Sequence, residues 1–237
     1  MTTAAIVVAA GEGLRLGAAQ PKALVKVGGV PLITHTFLTL LDALLVDLVV
    51  VAAPEAHVEH VHVLLGGRAT VVPGGASRHE SVGRALAVLP EEVDVVLVHD
   101  AARAYAPSWL FDEVVRAVRA GADAVIPALP VTDTIKRVAA SREAGSVHEV
   151  VVDTPDRSSL RAVQTPQGFR RQALDQAHAV SSRHATAHTD DAGAVEAMGG
   201  TVVVIQGSPE AFKITGPLDL LLAEALQLRR DEEESDG

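Results

Sequence analysis

The sequence predicts an α/β protein with one mostly parallel sheet flanked by helices. Two observations support this class. Short apolar runs of Val, Leu, Ala and Ile alternate with helix-type segments through the first half of the chain, and repeated strand–helix units imply parallel strands with right-handed crossovers. Only 3% of the residues are aromatic, so the core must be aliphatic. With 237 residues, a single domain of this class accommodates the whole pattern.

The composition excludes several functional classes. The chain has no cysteine, which rules out disulfides, thiolate catalysis and Cys-ligated zinc. No apolar run reaches the roughly 18 residues of a membrane span, and the N-terminus lacks the basic region of a signal peptide. We therefore expect a cytoplasmic protein with no membrane partner. A net charge of −10 argues against nucleic-acid binding and means that an anionic substrate needs a locally basic pocket.

The first half of the chain is predicted to form strand–helix units. The predicted elements up to residue 72 are a buried strand at 4–10, a helix at 31–45 with Pro31 in its first turn, a buried strand at 46–53, a helix at 55–65 and a short strand at 69–72. Further on, Ser77 to Glu80 fit a capping box before a helix at 81–89. A buried strand at 93–98 then leads into His99-Asp100, Ser108 is a candidate cap for a helix at 109–120, and another strand is expected at 124–129.

Three polar or glycine-rich segments follow predicted strands: the glycine loop after residue 10, Gly74-Gly75 and His99-Asp100. Ligands of parallel α/β sheets bind beyond the carboxyl ends of the strands. The sequence therefore places a binding site where these three segments converge.

Residues 133–160 interrupt the α/β pattern. They contain β-type stretches at 134–138 and 146–152 around a polar centre at 139–145, which predicts a projecting β-hairpin arm. A lone hairpin is only marginally stable in water, so we expect the arm to pack on another surface, and a second subunit is the natural candidate.

The α/β pattern resumes after the arm. The remaining predicted elements are a strand at 162–164, helices at 170–182 and from 189, strands at 201–206 and 211–214, and a last helix at 217–228. Residues 229–237 are charged and are expected to form a flexible tail. We find no repeat and no linker, and so predict one domain, 1–228, that includes the arm.

The loop that follows the first strand contains three glycines and two cations: Gly11, Gly13, Gly17, Arg15 and Lys22. Glycines let backbone N–H groups line one concavity that suits a phosphate chain. Three interpretations compete: a surface turn, a dinucleotide-binding loop and a nucleoside triphosphate loop. A dinucleotide fingerprint needs G-x-G-x-x-G and a later acid; here the third glycine comes one place late, and the next predicted strand ends in Ala-Pro. The pattern A-A-G-x-G-x-R-x-G…P-K resembles the signature of sugar-phosphate nucleotidyltransferases.

Further motifs, in the same order along the chain, resemble one family of these enzymes. They are Gly74-Gly75-Ala76-Ser77-Arg78-His79-Glu80-Ser81-Val82, Val98-His99-Asp100-Ala101-Ala102-Arg103, Pro130-Val131-Thr132-Asp133-Thr134-Ile135-Lys136, Val152-Asp153-Thr154-Pro155-Asp156-Arg157, Gln164-Thr165-Pro166-Gln167, Thr189-Asp190-Asp191-Ala192 and Phe212-Lys213-Ile214-Thr215. Over residues 4–228 the chain is similar to the 2-C-methyl-D-erythritol 4-phosphate cytidylyltransferases of non-mevalonate isoprenoid biosynthesis. The resemblance implies a Rossmann-like nucleotidyltransferase fold with a projecting arm.

The implied reaction is attack by a phosphate monoester on the α-phosphorus of CTP, with release of pyrophosphate. Catalysis of this kind relies on positioning and on cations that stabilise the developing charge. By resemblance, Arg15, Lys22 and Lys213 are the catalytic cations. Taken alone, Lys213 is also compatible with an ordinary edge residue.

The nucleotide site carries over to residues of the glycine loop and of the strand ends. By resemblance these are Ala9, Ala10, Gly11, Gly13, Gly75, Ala76, Ser81, Asp100 and Ala101. Asp100 is also the candidate ligand for Mg²⁺, a hard cation that binds phosphates and retains most of its waters. We treat His99 as a packed, structural residue.

The methylerythritol phosphate site carries over to Arg103, Thr134, Arg157 and Thr165, with Lys136 and Thr189 as weaker candidates. A guanidinium suits a phosphate because it holds two oxygens at once. The resemblance implies a homodimer in which Thr134 and Arg157 of each arm serve the partner's active site.

The sequence departs from the family pattern at Ala76, where an acid is common, and at Ala104, where proline is common. Two alternatives remain. One is a cytidylyltransferase for ribitol 5-phosphate or another polyol phosphate, and the other is a non-catalytic nucleotide-sensing module. The small residues between Asp100 and Arg103 and the sequence of the arm favour methylerythritol phosphate, because polyol-specific relatives carry bulkier residues at those positions. The presence of Arg15, Lys22, Asp100 and Lys213 together argues against a sensing module.

Overall fold

The computed structural model describes residues 1–11, 20–140, 148–184 and 188–235, and within them an eight-stranded sheet and two small two-stranded sheets. In chain order the strands are β1 (Thr2–Val8), β2 (Lys26–Val27), β3 (Val30–Pro31), β4 (Leu48–Ala53), β5 (Thr70–Pro73), β6 (Val93–Asp100), β7 (Ala124–Pro130), β8 (Arg137–Ala140), β9 (Glu149–Asp153), β10 (Arg161–Val163), β11 (Gln167–Arg170) and β12 (Val202–Gln206). The helices are α1 (Leu32–Asp42), α2 (Val58–Leu64), α3 (Arg78–Leu86), α4 (Ser108–Arg119), α5 (Arg171–His184), α6 (Asp191–Ala197) and α7 (Pro217–Ser235).

The central sheet confirms the predicted, mostly parallel α/β class. Strands β5, β4, β1 and β6 run parallel to one another in that order. Strand β11 lies antiparallel between β6 and β7, β10 pairs with the end of β7, and β12 lies parallel along the other edge of β7. Strand β1 is therefore central, and its carboxyl end lies beside that of β6.

Helices cover both faces of the sheet because alternate side chains of each strand point to opposite faces. On β1, Ala5 and Val7 pack into a cluster with residues of α1 and α4. Ala4 and Ile6 pack on the other side, in a cluster with residues of α3, α5 and α6. All four β1 residues are fully buried, which makes this strand a rigid base for the loop that follows it.

The predicted capping box at the start of α3 is present in modified form. The Ser77 hydroxyl accepts a hydrogen bond from the Glu80 N–H (3.0 Å), so α3 begins at Arg78, earlier than predicted. The Glu80 carboxylate accepts from the N–H of Ala76 (2.9 Å), whereas a full capping box would use the N–H of Ser77. Glu80 thus ties the helix to the preceding glycine loop.

The predicted hairpin arm is confirmed as the antiparallel pair β8–β9, which forms a sheet of its own. Its strands begin and end slightly later than predicted, and most of the predicted polar centre lies outside the described residues. Every residue of β8 and β9 is exposed in the monomer. The apolar side chains Val138, Val150, Val151 and Val152 are among them, with exposed fractions of 42% to 60%.

The sequence did not predict strands β2, β3 and β11, and one predicted strand is wrong. The Pro-Gln-Gly-Phe sequence at β11 lacks a recognisable strand pattern. Gly168 is required there because a Cβ atom would lie 2.3 Å from Cγ1 of Val114 on α4. The predicted strand at 211–214 is instead the end of a 3-10 turn, Pro209–Ala211, followed by a loop. Ile214 is buried and its N–H donates to the carbonyl of Ala102 (2.8 Å), so burial, not sheet pairing, explains its apolar side chain.

Two helix predictions are also wrong. Ser108 is the first residue of α4 and not its cap, because Pro107 occupies the N-cap position. The last helix does not end at 228, since α7 continues to Ser235. Arg229 and Arg230 in this extension each lie 2.8 Å from a carboxylate oxygen of Glu210, which holds the added turns against the domain. Within the described ranges, no helix combines the length and apolar character needed to cross a membrane.

Candidate active site

A cavity of about 620 Å³ opens beyond the adjacent carboxyl ends of β1 and β6, as the sequence predicted for the binding site. Its volume is in the range of small-molecule sites. The residues that line it are Val8, Ala9, Ala10, Gly11, Lys22, Ala23, Gly75, Ala76, Ser77, Arg78, Ser81, Asp100, Ala101, Ala102, Lys213 and Thr215.

The first wall is formed by the end of β1 and the turn at Lys22. The Ala9 N–H donates to the carbonyl of Ala52 (2.9 Å), which extends β1 pairing into the loop. The Lys22 N–H donates to the carbonyl of Gly11 (3.1 Å), so Lys22 lies next to the end of the segment that follows β1. The buried side chain of Ala23 anchors the 3-10 turn Lys22–Leu24. Lys22 is thereby held at the cavity.

Two predicted residues of this wall, Gly13 and Arg15, lie outside the described residues. Their proposed roles at the phosphates stay predictions.

The second wall is the loop from Gly74 to Ala76. Gly74 approaches the first wall so closely that a Cβ atom would lie 2.5 Å from Cβ of Ala10. The Ser81 hydroxyl accepts from the Gly75 N–H (3.0 Å) and donates to the carbonyl of Ser77 (2.9 Å). Since Glu80 accepts from the Ala76 N–H, both loop N–H groups are engaged within this wall.

The floor of the cavity carries the most concentrated charge. Asp100 ends β6, and its Oδ2 lies 2.6 Å from Nζ of Lys213, while its Oδ1 lies 3.3 Å from Nε of Arg78. Burial raises the pKa of Asp100, but the charges of Arg78 and Lys213 outweigh it and hold that pKa well below its ordinary value. The carboxylate is therefore ionised and its orientation is set by two cations.

Thr165 lies behind Asp100. Its hydroxyl accepts from the Asp100 N–H (3.1 Å) and lies 3.1 Å from Nδ1 of His99. Thr165 is only 5% exposed. Burial lowers the pKa of His99 to about 4, so this imidazole is neutral near pH 7, in agreement with the structural role assigned to it.

Four residues were predicted to bind methylerythritol phosphate: Arg103, Thr134, Arg157 and Thr165. None of them lines this cavity in the part of the chain that the structure describes. Arg103 donates to the carbonyls of Ala211 (2.6 Å) and Val163 (3.2 Å). Arg157, in the arm, donates to the carbonyl of Thr132 (2.6 Å), and Thr134 is exposed. Their roles as substrate ligands stay predictions.

Comparison with known proteins agrees with the site. A family model described as 2-C-methyl-D-erythritol 4-phosphate cytidylyltransferase matches residues 3–229. The chain belongs to this family. The relative of that name from Streptomyces avermitilis is 49% identical over 235 residues, which cover 96% of this chain and 92% of the relative. The relative from Rhodococcus jostii is 52% identical, with 94% and 93% covered.

The fold agrees with solved structures of family members. The structure of 2-C-methyl-D-erythritol 4-phosphate cytidylyltransferase from Thermus thermophilus superimposes with a TM-score of 0.75 at 35% identity, covering 95% of this chain and 98% of that one. The 4-diphosphocytidyl-2C-methyl-D-erythritol synthase from Anaerococcus prevotii gives a TM-score of 0.81 at 26% identity, with 96% and 98% covered. The resemblance stated from the motifs, and the fold it implied, are confirmed.

Sequence reasoning missed Arg78 as a residue of the site. The side chain lines the cavity and bridges Asp100 to Asp191, which is buried at the start of α6. A charged residue just inside a helix N-terminus normally faces solvent, so nothing in the local sequence distinguishes Arg78. The available signal was its place in a family motif from which Gly75, Ala76 and Ser81 had been assigned to the site.

Proposed function

We propose that this protein transfers the cytidylyl group of CTP to 2-C-methyl-D-erythritol 4-phosphate. A phosphate oxygen of the acceptor attacks the α-phosphorus of CTP. The bond from that phosphorus to the oxygen bridging to the β-phosphorus breaks, and pyrophosphate leaves. The products are 4-diphosphocytidyl-2-C-methyl-D-erythritol and pyrophosphate.

One observation carries the proposal. Lys22, Asp100 and Lys213 meet on one cavity at the strand ends, in a chain that belongs to this enzyme family over residues 3–229. Two ammonium groups supply a basic pocket in a protein of net charge −10, as a triphosphate requires.

The proposed role of each cavity residue follows from its position. Lys22 and Lys213 stabilise the charge that builds on the α-phosphate oxygens and on the leaving group, which is the main task in phosphoryl-type transfer. Arg15 is proposed for the same task. The walls formed by Ala9-Ala10 and by Gly75, Ala76 and Ser81 receive the nucleoside. Because the N–H groups of Gly75 and Ala76 and the proton of the Ser81 hydroxyl are engaged, we assign base recognition on this wall to carbonyl groups and to the remaining lone pair of the Ser81 oxygen.

Mg²⁺ is part of the proposal, with Asp100 as its protein ligand. Within the described residues no group of three or more His, Cys, Asp or Glu side chains is placed to hold a metal. A single carboxylate is sufficient for Mg²⁺ when substrate phosphates and waters complete the octahedron. Each Asp100 oxygen accepts one charged donor and keeps a lone pair, so the residue fits this role. When bound, the ion neutralises charge on the triphosphate.

A homodimer is proposed through the arm. The β8–β9 pair exposes apolar valines that a single chain leaves uncovered, and a two-stranded hairpin gains stability by packing. Thr134 and Arg157 belong to the arm, and a dimer formed through the arm would bring them to the partner's active site. Arg103 and Thr165 are proposed to act from the same chain, and the Thr165 hydroxyl already contacts the backbone of Asp100. A cytoplasmic location and the lack of a nucleic-acid partner stay predictions of the sequence.

The decisive experiment incubates the purified protein with CTP and Mg²⁺ and follows pyrophosphate release. Methylerythritol phosphate should support turnover, and ribitol 5-phosphate should support far less. Preference for ribitol 5-phosphate would make the polyol alternative correct. Binding of CTP without turnover on either acceptor would favour the nucleotide-sensing alternative.

A further inference from the structure

We propose that Arg78 and Asp191 form a positioning pair that orients Asp100 and, through it, the ammonium group of Lys213. The inference rests on the proposed function and adds two residues to its machinery. It also gives a role to Asp191, a residue of the motif Thr189-Asp190-Asp191-Ala192, in which only Thr189 was considered for substrate binding.

The planar guanidinium group of Arg78 makes both contacts. Arg78 uses Nε for Oδ1 of Asp100 (3.3 Å) and Nη1 for Oδ2 of Asp191. A guanidinium is rigid and its donors point in defined directions, so two simultaneous contacts set the spacing of the two carboxylates. Asp191 does not line the cavity, and only 3% of its surface is exposed. Its ion pair with Arg78 is the contact through which we expect it to influence the reaction.

Asp191 also has a contact through its other carboxylate oxygen. Its Oδ1 lies 3.0 Å from Nε2 of His178 on α5. The neighbouring Asp190 caps α6 by accepting from the Gly193 N–H (2.9 Å), and its other oxygen accepts from Nε2 of Gln167 on β11 (2.7 Å). Contacts with α5, α6 and β11 thus hold Asp191 in place. Through Arg78, they also restrain the orientation of the Asp100 carboxylate.

The charges alternate along the series Lys213, Asp100, Arg78 and Asp191. Without Arg78, the Asp100 carboxylate would rotate toward Lys213 and neutralise it more fully, leaving less positive charge for the reacting phosphate. Without the Asp191 charge, Arg78 would be drawn toward Asp100 and the carboxylate would move with it. Either change misplaces groups beside the substrate, and displacement of about 1 Å costs up to about 100-fold in rate.

The test compares Asp191→Asn with wild type in the CTP and methylerythritol phosphate assay. We expect kcat per folded molecule to fall about 10- to 100-fold, while calorimetry shows CTP binding weakened by less than about threefold. A purely structural role would lower the melting temperature and leave kcat of the folded enzyme unchanged, and that result would overturn the proposal.

A second variant, Arg78→Lys, keeps the positive charge but reaches only one carboxylate. It should lose kcat in the same range, and the double variant should lose little more than either single one, because both act through one contact. Independent, multiplicative losses would contradict the proposal. If Asp191→Asn does not fold, a normal kcat in Arg78→Lys overturns the proposal and a reduced kcat with retained CTP binding supports it.

The matched control is Asp175→Asn. Asp175 also pairs with an arginine, Arg171 (3.3 Å), but lies on α5 away from the cavity. Its kcat should equal that of wild type. An inactive wild type would instead refute the proposed function, so the two failures are distinguishable.

Discussion

Lys213 lies 2.6 Å from Asp100 although 113 residues separate them in the chain. The first comes from the loop before α7 and the second from the end of β6. The pair joins a predicted catalytic cation to the predicted metal ligand. Under the proposed function, the Asp100 carboxylate interacts with Lys213, Arg78 and the proposed Mg²⁺, so the balance of charge around Asp100 is central to the proposed mechanism.

Replacing Lys22 with alanine should lower kcat about 100-fold, because a lost charge-stabilising donor at the transition state has a cost of this order. Binding of CTP, measured by calorimetry, should weaken much less, since the interaction strengthens only as charge develops. Lys26→Ala is the control, as Lys26 is exposed on β2 and absent from the cavity lining. Near-normal turnover in Lys22→Ala would refute the proposed role. We expect the same result for Arg15→Ala.

Replacing Asp100 with asparagine should raise the Mg²⁺ concentration needed for half-maximal turnover and leave the fold intact. An amide lacks the charge that a hard cation prefers. The measurement is a titration of activity against Mg²⁺, with circular dichroism to verify folding. Asp94→Asn, at the exposed opposite end of the same strand, is the control. An identical titration curve for Asp100→Asn would mean that this residue is structural.

Mixing two impaired variants tests the shared active site. Lys22→Ala and Arg157→Ala should each retain little activity, and subunit exchange should restore part of the wild-type activity. In a mixed dimer both lesions fall in one site and the other site is intact. The control mixes Lys22→Ala with Asp100→Ala, whose lesions lie in the same chain's cavity and leave no intact site. Confirmed exchange without recovery, or a monomeric protein, would exclude the shared site.

Replacing Gly74 with alanine should destabilise the protein by about 1–3 kcal/mol and weaken CTP binding, because overpacking of this size forces backbone shifts. The new Cβ atom would lie 2.5 Å from Cβ of Ala10 and push the two cavity walls apart. Denaturant unfolding and CTP calorimetry measure both effects. Gly83→Ala is the control, since its nearest neighbour would be 3.8 Å away and alanine is favoured in a helix. Equal behaviour of the two variants would contradict the predicted clash.

Stability should depend on the ionisation of Asp219 at acid pH. Its Oδ2 accepts from the N–H and hydroxyl of Thr215 and from the N–H of Gly216. These hydrogen bonds lower its pKa below the ordinary value of 3.8. A lowered folded-state pKa means that the contribution is complete above pH 3.8 and is lost as the pH falls through the folded-state pKa.

The variant Asp219→Asn isolates this effect. It should melt below wild type at pH 7, and the gap should narrow as the pH is lowered from about 4 toward about 2. Glu232→Gln, on the same helix, provides an exposed acidic control. A gap that stays constant over that whole range would show that the Asp219 charge does not stabilise the fold.

The sequence by itself determined the sheet class, the order of most elements and the position of the site. Buried parallel strands are continuous apolar runs, and the segments that follow β1, β5 and β6 had to meet at one edge of the sheet. The arm was visible because its pattern breaks the α/β repeat. These features depend on local periodicity, which a linear chain displays directly.

Only the tertiary structure decided which charges meet. Nothing in the local sequence pairs Lys213 with Asp100, or Arg78 with Asp191, because ion pairs between distant segments leave no periodic signal. Strand β11 was hidden for a related reason, since Gly168 is required by contact with α4 and weakens the strand pattern. The continuation of α7 likewise depends on Glu210, a residue outside that helix. Packing between distant elements, and not local propensity, completed the site.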